Sequence, residues 1–170
     1  MAVMSEPAVE ERAETFEDFF HAHHERLLRA MYLGTGDRHE AEDLTQEAFI
    51  RILERWERVR EVADPIGYLY RTALNLRRSR LRRLAMSARK AARPDPPPDE
   101  QGAAEDRSIV QKALARLPNG QREAVVLVEW LGMTDERAGA VLGVSAGAVR
   151  TRLHRARAAL RDLLRGEIDA

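Results

Sequence analysis

Ala138-Gly139-Ala140-Val141-Leu142-Gly143-Val144-Ser145-Ala146-Gly147-Ala148-Val149-Arg150-Thr151-Arg152-Leu153-His154-Arg155 reads as a short helix, a tight turn and a second, basic helix. Gly143 supplies the positive φ that such a turn requires, and Val144 fills the angle between the helices. Ser145 stands where a side-chain oxygen accepts from the free N–H groups that open the second helix. In that helix Val149, Leu153, Ala156 and Leu160 recur at helical spacing and must face inward. Ala146, Gly147, Ala148, Arg150, Thr151, His154, Arg155 and Ala158 then face outward. Small residues at the N-terminal end allow close approach to a DNA major groove, and arginines one and two turns on reach phosphates or guanine edges. An ordinary helical hairpin with a basic face shares this geometry, so the rest of the chain has to arbitrate.

The charge distribution does so. The chain has 170 residues with 28 basic and 28 acidic side chains, a net charge of +0, yet the signs are segregated. Residues 1–64 hold 8 basic and 16 acidic residues, whereas 65–94 hold 9 basic and none acidic. A second basic block runs from Arg150 to Arg165. Basic clusters of this kind release counterions from a phosphate backbone, while an acidic flank suits a basic protein partner. Arginine outnumbers lysine 26 to 2, a bias that base composition of the genome alone can produce.

Along the chain helical periodicity dominates and nothing shows sustained period-two alternation, so the expected fold is all-α. A first helix spans about Thr15 to Leu33, with Phe16, Phe19, Phe20, His23, Leu27, Ala30 and Met31 on one face, and Gly34 and Gly36 end it. Asp37 with Glu40 opens a second to about Arg58, whose stripe is Ala41, Leu44, Ala48, Ile52 and Trp56. Asp64 and Pro65 start a third, to about Ala92, with Ile66, Leu69, Ala73, Leu76 and Leu81 on one side and arginines on the other. Pro94, Pro96, Pro97 and Pro98 then break any helix, and a flexible linker is expected over 94–107, long enough to separate two sites by roughly 35 to 40 Å. Beyond it, a short helix around Ile109, Leu114 and Leu117 is closed by Pro118, Asn119 and Gly120. Another follows from Arg122 to Leu131, a third from Thr134 to Leu142, and a long one from Ala146 to about Leu164. The expected organisation is a disordered 1–14, a helical domain over 15–93, the linker, a second helical domain over 108–165, and a tail over 166–170. Each unit is small, so docking on a partner is expected to support it.

Three blocks together resemble the extracytoplasmic-function (ECF) RNA polymerase sigma factors of the sigma-70 family, within it the actinobacterial SigE-like group. Gly36-Asp37-Arg38-His39-Glu40-Ala41-Glu42-Asp43-Leu44-Thr45-Gln46-Glu47-Ala48-Phe49 is similar to the family's region 2.2. Pro65-Ile66-Gly67-Tyr68-Leu69-Tyr70-Arg71-Thr72-Ala73-Leu74-Asn75-Leu76 is similar to its promoter-melting helix. Leu117-Pro118 and Gln121-Arg122, followed by Leu142 to Arg157, are similar to region 4. The resemblance implies that Asp43, Gln46 and Glu47 dock on the coiled coil of the polymerase β′ subunit, with the β flap as a further contact. It implies that Val62, Asp64, Tyr68, Arg71, Asn75, Arg78 and Arg82 hold the melted minus-ten strand, an aromatic ring and a polar group receiving a flipped base. It places Ala146, Gly147, Arg150, Thr151, His154 and Arg155 against the duplex minus-thirty-five element, and it suggests an anti-sigma partner. Ala138 stands where the family more often has a larger aliphatic, Gly139 where it has Ala, and Tyr68 where a Trp is common. Asp135 and Arg137 are unusual in the motif's first helix, which is expected to be weakly packed and of low propensity.

Other classes fit less. A conventional helix-turn-helix regulator leaves Gln46, Glu47 and the separate arginine block without a role. The chain has no cysteine, its histidines do not converge as a ligand set, and Gly34-Thr35-Gly36 is too short for a phosphate loop. No enzyme activity, metal or cofactor is therefore expected. With neither a secretory h-region nor an apolar run of membrane-spanning length, the expected location is the cytoplasm without membrane insertion.

Overall fold

A computed structural model describes residues 15–90 and 108–168, with side chains to 165. The N-terminal segment, the linker and the last two residues of the tail lie outside the described residues. Helix α1 spans Phe16–Thr35. The Thr15 hydroxyl accepts from the Asp18 N–H at 3.1 Å while the Asp18 carboxylate accepts from the Thr15 N–H, a reciprocal cap. Gly36, not Gly34, ends it; Gly34 lies inside the last turn. Helix α2, Arg38–Leu53, opens where Asp37 accepts from the Glu40 N–H at 2.8 Å. It stops earlier than its stripe suggested, and a separate turn α3, Trp56–Val59, follows. The break swings Trp56 and Val59 together onto the core, where the indole meets Phe16 edge-on at 5.7 Å. Helix α4, Pro65–Lys90, starts where expected, burying Leu69, Tyr70, Ala73, Leu74, Leu76 and Arg77, and its residues from Arg82 on are exposed.

In the second half, α5 is Ile109–Ala115 and α6 is Asn119–Val125. Pro118, Asn119 and Gly120 thus begin a helix as well as closing one. Proline needs no N–H partner at a helix start, and its carbonyl accepts from Gln121 and Arg122. The expected single helix to Leu131 instead continues as a π-helical turn, Val126–Trp130. Widening the turn brings Val126 and Leu131, five residues apart, to one buried face, with the Leu131 N–H donating to the Val126 carbonyl at 3.0 Å. Helix α7, Asp135–Leu142, is capped by Thr134, and α8 runs from Ala146 to Ile168, past the expected end.

The two halves share a core. Leu69, Tyr70 and Leu76 of α4 belong to one apolar cluster with Met133, Ala138, Leu142 and Val149, and a smaller cluster joins Leu114, Leu117 and Ala156 to half-buried Leu33 of α1. Each unit therefore gains buried area from the other. Among the described residues no helix is long and apolar enough to cross a membrane, and no cluster of His, Asp and Glu is arranged to hold a metal ion.

Candidate nucleic-acid interface

The helix-turn-helix is built as its residues dictate. Gly143 adopts φ 71° and lets α7 end in a sharp turn, and the Ser145 hydroxyl accepts from the Ala148 N–H at 3.1 Å to open α8. Gly139 corrects the expectation of a loosely packed first helix. A Cβ there would lie 2.7 Å from the Val144 carbonyl oxygen, so the low-propensity residue is what lets α7 meet the turn. Ala138, beside it, is fully buried. On the outer face Gly147, Arg150, Thr151, His154 and Arg155 are exposed and Ala146 half-exposed, forming one continuous strip along α8. Thr151 donates to the Gly147 carbonyl, and Arg150 lies 3.6 Å from Asp135. That pairing accounts for the unusual Asp135, which holds an outer-face guanidinium without burying it.

The structure divides the α4 residues. Tyr68, Arg71 and Asn75 line a cleft of about 620 Å³ between α2 and α4, with Glu47, Ile50, Arg51, Glu54, Arg55 and Thr72 completing it. An aromatic ring, an amide and several guanidinium groups converge there, which is the chemistry a single strand needs. Arg82 stands exposed beyond the cleft and Val62 half-buried before it. Asp64 and Arg78 turn instead to the second half of the chain. The Asp64 carboxylate accepts from the Gly67 N–H, capping α4, and takes two hydrogen bonds of 2.8 Å from the Arg137 guanidinium on α7. That guanidinium holds the Asp64 carboxyl below its ordinary value. Arg78 donates to Glu123 of α6 at 2.6 Å and, more weakly, to the Leu142 carbonyl. Arg77, buried beside it, donates to Asn119 and lies 3.8 Å from Glu123; burial pulls its guanidinium down and Glu123 offsets part of that. Tyr70, as compatible with core as with contact from sequence, is core, and burial pushes its phenol up to about 12.

Asp43 and Gln46 are exposed on α2, whereas Glu47 is half-buried and tied to Arg51 at 2.8 Å and to Arg80 of α4 at 3.2 Å. Gln46 borders an apolar groove between α1 and α2 lined by Phe16, Phe20, Leu28, Phe49 and Leu53. Sequence reasoning missed Ile50 and Leu53, which are about half exposed on the same ridge as Gln46. Their signal was present: both fall off the apolar stripe that the helix buries. It also missed Glu123 and assigned no partner to Arg137.

Comparison with known proteins gives a consistent answer. The family pattern described as Sigma-70 region 2 matches residues 19–86, and that described as Sigma-70, region 4 matches residues 107–160. The ECF RNA polymerase sigma factor SigE of Mycolicibacterium smegmatis is 36% identical over 159 residues, covering 88% of this chain; the chain spans 62% of that relative's length. The RNA polymerase sigma-E factor of Streptomyces coelicolor is 34% identical over 158 residues, covering 91% of this chain and 89% of the relative. Among solved structures, CnrH in complex with the cytosolic domain of CnrY has a TM-score of 0.64 at 29% identity, covering 89% of this chain and 88% of that one. The sigma factor RpoE of Bartonella quintana, in complex with the anti-sigma factor NepR, has a TM-score of 0.75 at 22% identity, covering 88% and 96%, a likeness of fold.

Proposed function

The chain belongs to the ECF sigma factors of the sigma-70 family, and from that premise we propose that its two halves divide promoter recognition between the α2–α4 cleft and the outer strip of α8. It is a transcription initiation factor rather than a conventional regulator, which has no use for an exposed acidic and apolar ridge on α2. The observation that carries the reading is the pairing, in one chain, of a solvent-facing recognition helix with a separate cleft where Tyr68, Arg71 and Asn75 converge. Asp43, Gln46 and Glu47, with Ile50 and Leu53 beside them, form the docking ridge for the basic coiled coil of the β′ subunit. There charge steers the encounter and the apolar groove supplies burial. The region 4 half also engages the β flap. Tyr68 stacks on the melted minus-ten strand, Asn75 reads a base edge, and Arg71 and Arg82 hold phosphates, with Val62 and Asp64 shaping the loop at the head of the cleft. Gly147 and Ala146 admit the backbone of α8 to the minus-thirty-five groove, where Arg150, Thr151, His154 and Arg155 make the contacts. The natural division is a region 2 domain over 15–93 and a region 4 domain over 108–165, joined by the Pro-rich 94–107. The chain performs no chemistry of its own; phosphodiester synthesis and its metal belong to the polymerase. It works in the cytoplasm, and similar solved structures that are complexes with anti-sigma factors support an inhibitor of that class here.

Run-off transcription tests the proposal: purified chain is added to bacterial core polymerase on a pool of promoter fragments. Sequence-specific initiation is expected with the natural chain and its loss with Gln46→Ala/Glu47→Lys; specific duplex binding without any initiation would sink it. Within the same assay base readout separates from backbone binding. Arg150→Ala costs about 1 to 3 kcal/mol at cognate sites only, whereas Arg82→Ala weakens all sequences alike and lowers the salt slope by about one. Equal losses for both on every sequence would refute base readout by Arg150.

A further inference from the structure

Asp64, in the proposed function, and Arg78, by the family resemblance, belong to the minus-ten surface, yet both are occupied by the other half of the same chain. Arg137 grips Asp64 with two charge-assisted hydrogen bonds of 2.8 Å, and Glu123 takes Arg78 at 2.6 Å. Two more side chains stitch the halves together: Arg26 of α1 donates to the Leu131 carbonyl at 3.0 Å, and Arg122 of α6 donates to the Gly34 carbonyl at 2.7 Å. The recognition strip of α8, by contrast, is left exposed. We infer that the free factor latches itself shut, Arg137 and Glu123 of the region 4 half masking Asp64 and Arg78 of the minus-ten surface while the minus-thirty-five face stays open to duplex DNA. The inference rests on the minus-ten assignment above.

The seam is suited to reversal. Besides its apolar contacts it buries polar atoms with no hydrogen-bond partner among the described residues: the Tyr70 hydroxyl, Nε and Nη1 of Arg77, and Nε of Arg122. Each such group favours the state in which water reaches it. The Arg137–Asp64 pair is itself about 40% exposed, with side-chain exposures of 39% and 40%, and is therefore weakened by salt. A strand or a polymerase surface that offers these groups better partners opens the latch. Arg137 also finds its purpose here: a residue out of place in the motif's first helix is the one that reaches across the seam.

The test uses the full-length chain alone, comparing the natural protein with Arg137→Glu and the milder Arg137→Gln. Small-angle scattering reads the conformation, and anisotropy reads binding of short random-sequence single-stranded DNA and of duplex DNA. The natural chain is expected to be compact, and Arg137→Glu to raise the radius of gyration by roughly 4 Å or more above the value of about 16 Å for a globule of this length. Single-strand affinity is expected to rise about tenfold with duplex affinity not rising. Removing a cation weakens DNA binding on electrostatics alone, so a gain reports unmasking. If Arg137→Glu loses helix content, Arg137→Gln carries the comparison. An extended natural chain, an unchanged radius in both variants, or expansion without a gain in single-strand binding would each overturn the latch. Failure of the sigma reading shows elsewhere, as absence of run-off transcription by the natural chain with core polymerase.

Discussion

Glu123→Ala is expected to destabilise the closed form of the chain by about 3 to 5 kcal/mol, among the largest losses any single side chain here produces. Glu123 is 3% exposed and faces two guanidinium groups of α4, one of them, Arg77, buried to 5% of its side chain. With the carboxylate gone, Arg77 stays buried with Asn119 as its remaining hydrogen-bond partner, and an uncompensated interior charge is far more costly than a lost surface pair. The comparison that isolates this cause is Arg77→Met/Glu123→Leu. Removing both charges and filling their volume abolishes the desolvation problem, so the double variant should recover most of the loss despite deleting more polar contacts. Urea unfolding followed by far-UV circular dichroism reads both. A loss below about 1 kcal/mol for Glu123→Ala, or a double variant no better than the single, would show that Arg77 is not held by this carboxylate.

How much of this was legible beforehand depends on the range of the interaction. Ser145, Asp37 and Asp64 are caps written in two to four residues, and all three accept the hydrogen bonds that their positions implied. The α8 strip followed from periodicity alone, because Val149, Leu153 and Ala156 had to be buried and are. What periodicity does not carry is which residues meet across the seam. Asp64, Tyr68, Arg71, Asn75, Arg78 and Arg82 share one stripe of α4 by spacing, yet the approach of α6 and α7 claims Asp64 and Arg78 and leaves Tyr68, Arg71 and Asn75 to the cleft with α2. The break before Trp56 and the π-turn at Val126–Trp130 failed to register for a related reason. Each is a local departure from ideal helix made so that a particular pair of side chains reaches a core that only the tertiary fold creates.

Gly139 brings the same lesson to a number, because two effects of known size oppose each other there. Read as a helix residue, Gly139→Ala should stabilise α7 by about 1 kcal/mol through propensity. Read as a contact, the new methyl sits 2.7 Å from the Val144 carbonyl and 3.3 Å from the Ala146 nitrogen, backbone atoms with no flexible end to move aside. Overpacking of this kind costs about 1 to 3 kcal/mol, so the contact outweighs the propensity and Gly139→Ala should destabilise by about 1 kcal/mol net. Gly139→Val adds two more carbons and gains less propensity than alanine does, and is expected to cost about 3 kcal/mol or more while prising α7 from the turn that sets the angle of α8. Minus-thirty-five binding should then fall further than stability alone accounts for, since the recognition strip is displaced even in molecules that stay folded. Thermal unfolding and duplex binding of the two variants decide it. If alanine stabilises the chain and valine is neutral, propensity governs this position and the close approach of α7 to the Val144 carbonyl is not what positions the recognition helix.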